Sequence, residues 1–278
     1  MLLVEYSWAD IGGVRLDGAP AEYPYRGIGL SRLTGWRGLP GMRGGLDMVP
    51  GAHGAFSTEA LLRDPRSMAL NGFVEAGTPA EALVMLERLE SALAASPVQL
   101  RVAGDDGEWT RVVEVEALIP EDTWNRKRIR FSVDLIAPDP VRYREWLTAG
   151  PVGLPTQVGG LVLPKAFPWD FGTSTREVAT VANDGSVPVL PRVTVTGSAD
   201  ALTLFGGARR LEFGPFDGVL VFDSLERRAF LNGADVTRQL IRRDWPVVDP
   251  GGVADFYFQA VDPSSDINLM VEYRIGAW

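Results

Sequence analysis

The chain contains no cysteine and a single histidine, His53. The first absence excludes disulfides, thiol catalysis, iron–sulfur clusters and cysteine-ligated zinc. With one histidine left, no ordinary transition-metal ligand set can be assembled. His53 stands in the glycine-rich segment PGAHGAF, and nothing near it in sequence pairs a nucleophile with an orienting carboxylate, so it reads as structural. Long apolar runs are missing too, and no window is suited to crossing a bilayer. The N-terminal MLLVEYSWADIGG carries Glu5 and Asp10 and lacks the basic start of a secretion signal. These features predict a chain folded in the cytoplasm without membrane insertion. Positive charge is also in deficit, with 27 Lys and Arg against 36 Asp and Glu and a formal net charge of -9. Such a chain has no electrostatic footprint for gripping phosphate backbones, so specific nucleic-acid binding is not expected.

What the chain has in abundance is punctuation: 31 glycines and 20 prolines in 278 residues. That density favours many short strands joined by turns. One helix stands out in TPAEALVMLERLESALAAS. Thr78 is the N-cap, Pro79 the first helical residue and Glu81 the capping-box partner. Ala82, Leu83, Met85, Leu86, Leu89 and Leu93 form its apolar stripe, which predicts packing across a sheet.

Two strands with period-two alternation follow. In the first, Val113, Val115 and Ala117 alternate with Glu114 and Glu116. In the second, Ile129, Phe131, Val133 and Leu135 alternate with Arg128, Arg130, Ser132 and Asp134. If the two pair, the glutamates face the arginines. The basic run NRKRIR then reads as a solvated face neutralised by its acidic neighbour rather than as a nucleic-acid patch. Before the helix, residues 36–56 lack periodicity and read as a long loop or hairpin extension. Loops of that length are commonly functional. Its Trp36, Leu39, Met42, Met48, His53 and Phe56 are the predicted contact residues, because a segment so rich in Gly, Met and Trp gains order by docking.

A change in texture marks a domain boundary. Residues 1–146 read as an N-terminal β domain with one helix, 147–178 as a Pro- and Gly-rich linker, and 179–278 as a second, all-β domain. In the last part short strands recur at 189–197, 201–205, 209–213, 218–223, 227–232, 253–261 and 266–275, split by turn chemistry. Pro188 and Pro191 sit where proline is tolerated, ahead of a strand. The fold class expected is mainly β, with an α+β first domain and a β-sandwich second domain. Enzyme signatures are absent. Asp105-Asp106, Asp217 and Asp223 fall at turns and strand ends, where Asp bonds its own backbone. GLPGMRGG lacks the ending of a phosphate loop. No catalytic residue, cofactor or metal is assigned. Trp8, Trp36, Trp109, Trp124, Trp245 and Trp278 lie beside turns or strand ends and read as packing or interface residues rather than sugar platforms.

The run NDGSVPVLPRVTVTG, then GVLVFDSLERRAFLNG, then DWPVVDPGG, resembles the second domain of the siphophage distal tail protein family. The matching positions are Asn183, Gly185, Pro191, Gly197, Asp223, Asn232, Gly233, Trp245, Pro250 and Gly251. MVPGAHGAF, RSMALNGFV, the capped helix and LIAPDPVRY are similar to the family's N-terminal domain. Where the family often has Asn after its Pro-Gly turn, Gly252 and Val253 stand here. The resemblance implies a virion structural protein at the tail tip, a homohexameric ring around the DNA channel. In that ring N-terminal domains close on one another and galectin-like C-terminal domains project outward. Implied partners are the protein itself, the tail tube protein, the tail-tip or hub protein and adhesion proteins. A lumen lined by Arg126, Arg128 and Arg130 would conflict with free passage of DNA. The alternatives are a carbohydrate-binding sandwich for attachment to a host-surface sugar and, behind it, a wall hydrolase.

Overall fold

A computed structural model of the chain describes residues 6–18, 24–43, 50, 53, 62–121, 126–154, 156–158, 173–175 and 177–278. Two compact units emerge, one built from Met1–Glu145 with Trp278 and the other from Trp146–Ala277.

The first unit contains β1 (Tyr6–Ile11), β2 (Val14–Asp17), β3 (Gly27–Thr34), β4 (Arg66–Glu75), α1 (Pro79–Leu93), β5 (Val98–Gly104), β6 (Gly107–Pro120), β7 (Arg128–Ala137) and β8 (Arg142–Tyr143). Its strands run in the order β8-β6-β5-β1-β2-β3-β4-β7, and β7 also pairs back onto β6. That last pairing closes the strands from β6 to β7 into a barrel, which leaves them no free edge. Alternation points Met68, Leu70, Leu100, Val102, Val113, Phe131, Val133 and Leu135 into the core, all of them buried.

Helix α1 is capped as its sequence demands. The Thr78 hydroxyl accepts from the Glu81 amide, and the Glu81 carboxylate reaches back to the Gly77 amide. Ala82, Leu86, Leu89 and Leu93 are buried, and the helix packs on β2, β4 and β7. Leu83, expected in the stripe, is 54 % exposed, because the buried face follows the 82/86/89/93 spacing and Leu83 lies outside it.

The expected pairing of Glu114 and Glu116 with the arginines of β7 does not occur. In the register of β6 and β7 Glu114 stands opposite Ile136 and Pro120 opposite Phe131, with a bulge between Val115 and Ala117, so the glutamates lie several residues along the ladder from Arg128 and Arg130. The acidic partner comes from the other neighbour. Strand β4 runs antiparallel to β7 along its whole length, setting Glu75 opposite Arg128, 3.5 Å from its guanidinium. Arg128 also lies over the Phe73 ring.

The second unit contains β9 (Leu147–Val152), β10 (Thr156–Val158), β11 (Thr173–Thr175), β12 (Ala179–Ala182), β13 (Arg192–Ala199), β14 (Ala201–Gly206), β15 (Arg209–Phe213), β16 (Phe216–Asp223), β17 (Arg228–Leu231), β18 (Ala234–Asp235), a 3-10 turn at Thr237–Gln239, β19 (Arg242–Arg243), β20 (Val253–Val261) and β21 (Asn268–Tyr273). One sheet has the order β12-β20-β14-β15-β19 and the other β18-β17-β16-β13-β21-β9. Their inner faces enclose a core that includes Val193, Val195, Leu202, Leu204, Leu220, Phe222, Phe256, Phe258, Leu269 and Val271. This is a two-sheet sandwich consistent with the galectin-like kind. The linker expected over 147–178 opens with a strand. β9 pairs with the edge of β21, its pattern obscured by Gly150 and Pro151, residues that belong at a sheet edge.

Candidate functional site

The motif positions of the second unit are joints rather than a catalytic cluster. Asn183 is 2 % exposed. Its amide nitrogen donates to the carbonyls of Val187 and Val248, both at 2.9 Å, and its Oδ1 accepts from the Gly185 amide at 3.0 Å. Its backbone bonds Gly251 and Gly252. One asparagine thus ties the lead into β13 to the segment that precedes β20. Val189 and Val248 bridge the same two segments. Pro188 and Pro191 lie in this lead, ahead of β13. Gly251 has φ 72, where a side chain would be strained.

Gly197, with φ 128, faces Gly218, with φ 111, across β13 and β16. A Cβ on Gly197 would lie 2.8 Å from the Ile267 Cα. Asn232, itself at φ 51, bonds the Val219 amide and the Asp217 carbonyl, which closes the turn ending at Gly233. Asp223 is buried; Oδ2 accepts from Nε and Nη2 of Arg192 while Oδ1 accepts from the amides of Leu225 and Glu226. Burial works to raise the carboxyl's pKa, but those amides and Arg192 outweigh it and hold it below the usual carboxylate range. Trp245 is buried, and its carbonyl accepts from Arg209.

The predicted contact segment divides. Trp36 is 1 % exposed and lies under the Arg111 guanidinium, 4.7 Å from the ring centroid; it belongs to the interior of its own unit, not to a contact surface. Leu39 and Met42 are 62 % and 41 % exposed, and His53 is exposed. Met48 and Phe56 lie outside the described residues. The chain leaves at Gly41–Arg43 and returns at Leu62–Asp64, bonded antiparallel through Met42 and Arg63. Leu62, next to this bridge, is exposed like Leu39 and Met42.

The anchor of residues 35–38 escaped the sequence reading. Arg66 is buried and donates to the carbonyls of Gly35, Arg37, Gly38 and Pro140 at 2.6–3.2 Å. Arg111 donates to the Trp36 carbonyl at 2.6 Å. The signal was available: Arg66 shares parity with Met68 and Leu70, and Arg111 with Trp109 and Val113, so both had to point inward. Burial, aided by Arg66 and Arg142, lowers the Arg111 pKa to about 9. Tyr25 is raised to about 12 by burial and then by Asp17, to which its hydroxyl is bonded.

Among the described residues no group of His, Asp and Glu is placed to hold a metal. Asp105 and Asp106 form the turn between β5 and β6, and Asp106 pairs with Arg37 and Arg142. Trp109 is buried against Arg142 and Arg144, and Trp8 is covered by Arg15. Trp124 lies outside the described residues. On the outer face of the β20–β14 sheet, Phe205 and Tyr257 stack with centroids 4.7 Å apart, beside the Arg210–Glu212 ion pair.

No protein-family model matches the sequence, and no curated protein does. Solved structures do. The chain is similar to the phage SPP1 Dit protein, described as a paradigm of the hub adsorption apparatus in phages infecting Gram-positive hosts. The TM-score is 0.66 at 15 % identity, over 97 % of this chain and 98 % of that one. It is also similar to a chain of the phage P2 baseplate in its activated conformation with Ca, with a TM-score of 0.50 at 7 % identity over 95 % and 97 % of the two chains. The chain therefore has the fold of the SPP1 distal tail protein across both of its units.

Proposed function

We propose that the chain is a structural hub at the distal end of a phage tail. It assembles as a homohexameric ring joining the tail tube to the tail-tip protein, with DNA passing through the centre. The observation that carries this reading is the end-to-end likeness to SPP1 Dit, which runs through both units in the same order. The chain's own physics supports it. The motif residues are spent on holding a sandwich rigid rather than on chemistry. Leu39, Met42 and Leu62, on and near the Met42–Arg63 bridge, are exposed apolar side chains, as contacts with a second copy or the tube require. A second apolar surface, a groove of about 440 Å³ lined by Leu83, Pro120, Ile129 and neighbours, lies beside α1. Adhesion proteins attach to the outer domain in this reading, and the protein acts in the virion after assembly in the host cytoplasm. An antibody against the protein should label the tail end farthest from the head in particles that carry this chain. Labelling of the capsid or along the tube refutes the reading.

One observation favours a second role, sugar binding by the outer domain. The Phe205–Tyr257 stack with the adjacent Arg210–Glu212 pair offers an apolar surface beside fixed polar groups, which suits a hexose. Retention of the protein on immobilised cell-wall glycan, lost in Tyr257→Ala, tests it.

A further inference from the structure

Three arginines point into one end of the barrel: Arg66, Arg111 and Arg142 are 4 %, 2 % and 8 % exposed. The register that sets Thr110 opposite Tyr143 also sets Arg111 opposite Arg142 on the inner face. Like charges directly opposite on a sheet repel, and burial removes the water that would screen them. Burial first, then Arg66 and Arg142, lower the Arg111 pKa.

The carboxylates at this end are already engaged. Asp106 is shared between Arg37 and Arg142, at 3.0 and 3.3 Å. Asp139 accepts from the Val141 amide and the Tyr143 hydroxyl. Arg66 spends its donors on four carbonyls. What remains is Nε and Nη2 of Arg111 and Nε of Arg142, each sealed from solvent and without an acceptor among the described residues. Arg142 Nη1 is paired with Asp106 Oδ2 at 3.3 Å. Buried donors on cations are the costliest groups to leave unbonded.

We propose that Arg111 and Arg142 together hold a small monovalent anion, chloride under cellular conditions, inside the end of the barrel. A single negative charge there accepts from the unbonded nitrogens and relieves the repulsion across β6 and β8. The sealed setting favours a monatomic ion over a phosphate or a protein carboxylate. Because the same Arg111 carries Trp36 and its carbonyl, the anion would also steady the bend at residues 35–38.

The test is hydrogen exchange of the full chain in sodium chloride and in sodium gluconate at matched ionic strength. Gluconate is too large for the site. Exchange in peptides covering β5 and β6 should slow by roughly tenfold in chloride, as expected when the ion stands at about ten times its Kd. Peptides covering β13 and β14 serve as the control and should not change. Arg111→Met should abolish the difference. If that variant does not fold, bromide-grown crystals of the unaltered protein should show an anomalous peak between Arg111 and Arg142. Equal exchange in both salts, or an equal effect on both units, overturns the proposal, as does a bromide map without that peak.

Discussion

Replacing Asn183 by Ala isolates the joint on which the second unit depends. The backbone bonds from Asn183 to Gly251 and Gly252 survive the change; only the side-chain bonds are lost. Two of those satisfy the carbonyls of Val187 and Val248, both on buried residues. The Val187 carbonyl is then left dry, at about 1–1.5 kcal/mol, whereas the Val248 carbonyl keeps its bond from the Val189 amide and loses about 0.5 kcal/mol. The third bond, to the Gly185 amide on a half-buried residue, adds about 0.5 kcal/mol. The sum is about 2–2.5 kcal/mol, a loss of roughly 8 °C in melting temperature for a unit of this size. Urea unfolding followed by tryptophan fluorescence reads it, since Trp245 is buried in this unit. Asn183→Asp should be worse than Ala, because it gives up both donors and buries a charge. A loss below about 0.5 kcal/mol for Asn183→Ala would refute the argument that this residue is a joint.

Further expectations follow from the other contacts. Arg66→Met leaves four carbonyls without their donor and should destabilise the first unit by about 3–5 kcal/mol, with the second unit's transition unmoved in calorimetry. The Asp223 carboxyl has a folded pKa below its unfolded one, so its contribution is complete above about pH 4 and is lost as pH falls through the folded value. Asp223→Asn should remove that acid-side loss in a pH series of unfolding midpoints. Tyr25 is displaced the other way, to about 12, so its contribution is complete below about pH 10 and fades as pH rises toward 12. In an ultraviolet titration one of the six tyrosines should ionise late, and Tyr25→Phe should remove that late step. Leu39→Asp combined with Met42→Asp should raise the concentration needed for self-assembly roughly tenfold or more, read by sedimentation, without altering the circular dichroism.

Much of the fold was legible because local chemistry and global structure agree. Thr78, Pro79 and Glu81 start the helix as their types dictate, and the alternation around Phe131 and Val133 announces β7. The Asn, Gly and Asp turns of the second unit mark where strands end because those residues bond their own backbone there. Barrel closure was not legible. It depends on β4 and β7 meeting over long sequence separation and on a bulge in β6 that periodicity does not display. The buried arginines were missed because charge outweighed parity: Arg111 was passed over although Trp109 and Val113 on either side of it face inward. Trp36 was assigned to a surface because a glycine-rich loop gives no sign of the guanidinium beneath which it packs.

The central claim is assembly into a ring, and it is met most directly by negative-stain images of the purified protein with its solution mass measured alongside. The account predicts six-fold rings with an open centre and a mass six times that of the chain. A single-chain mass at every concentration, with no rings in the images, would contradict it.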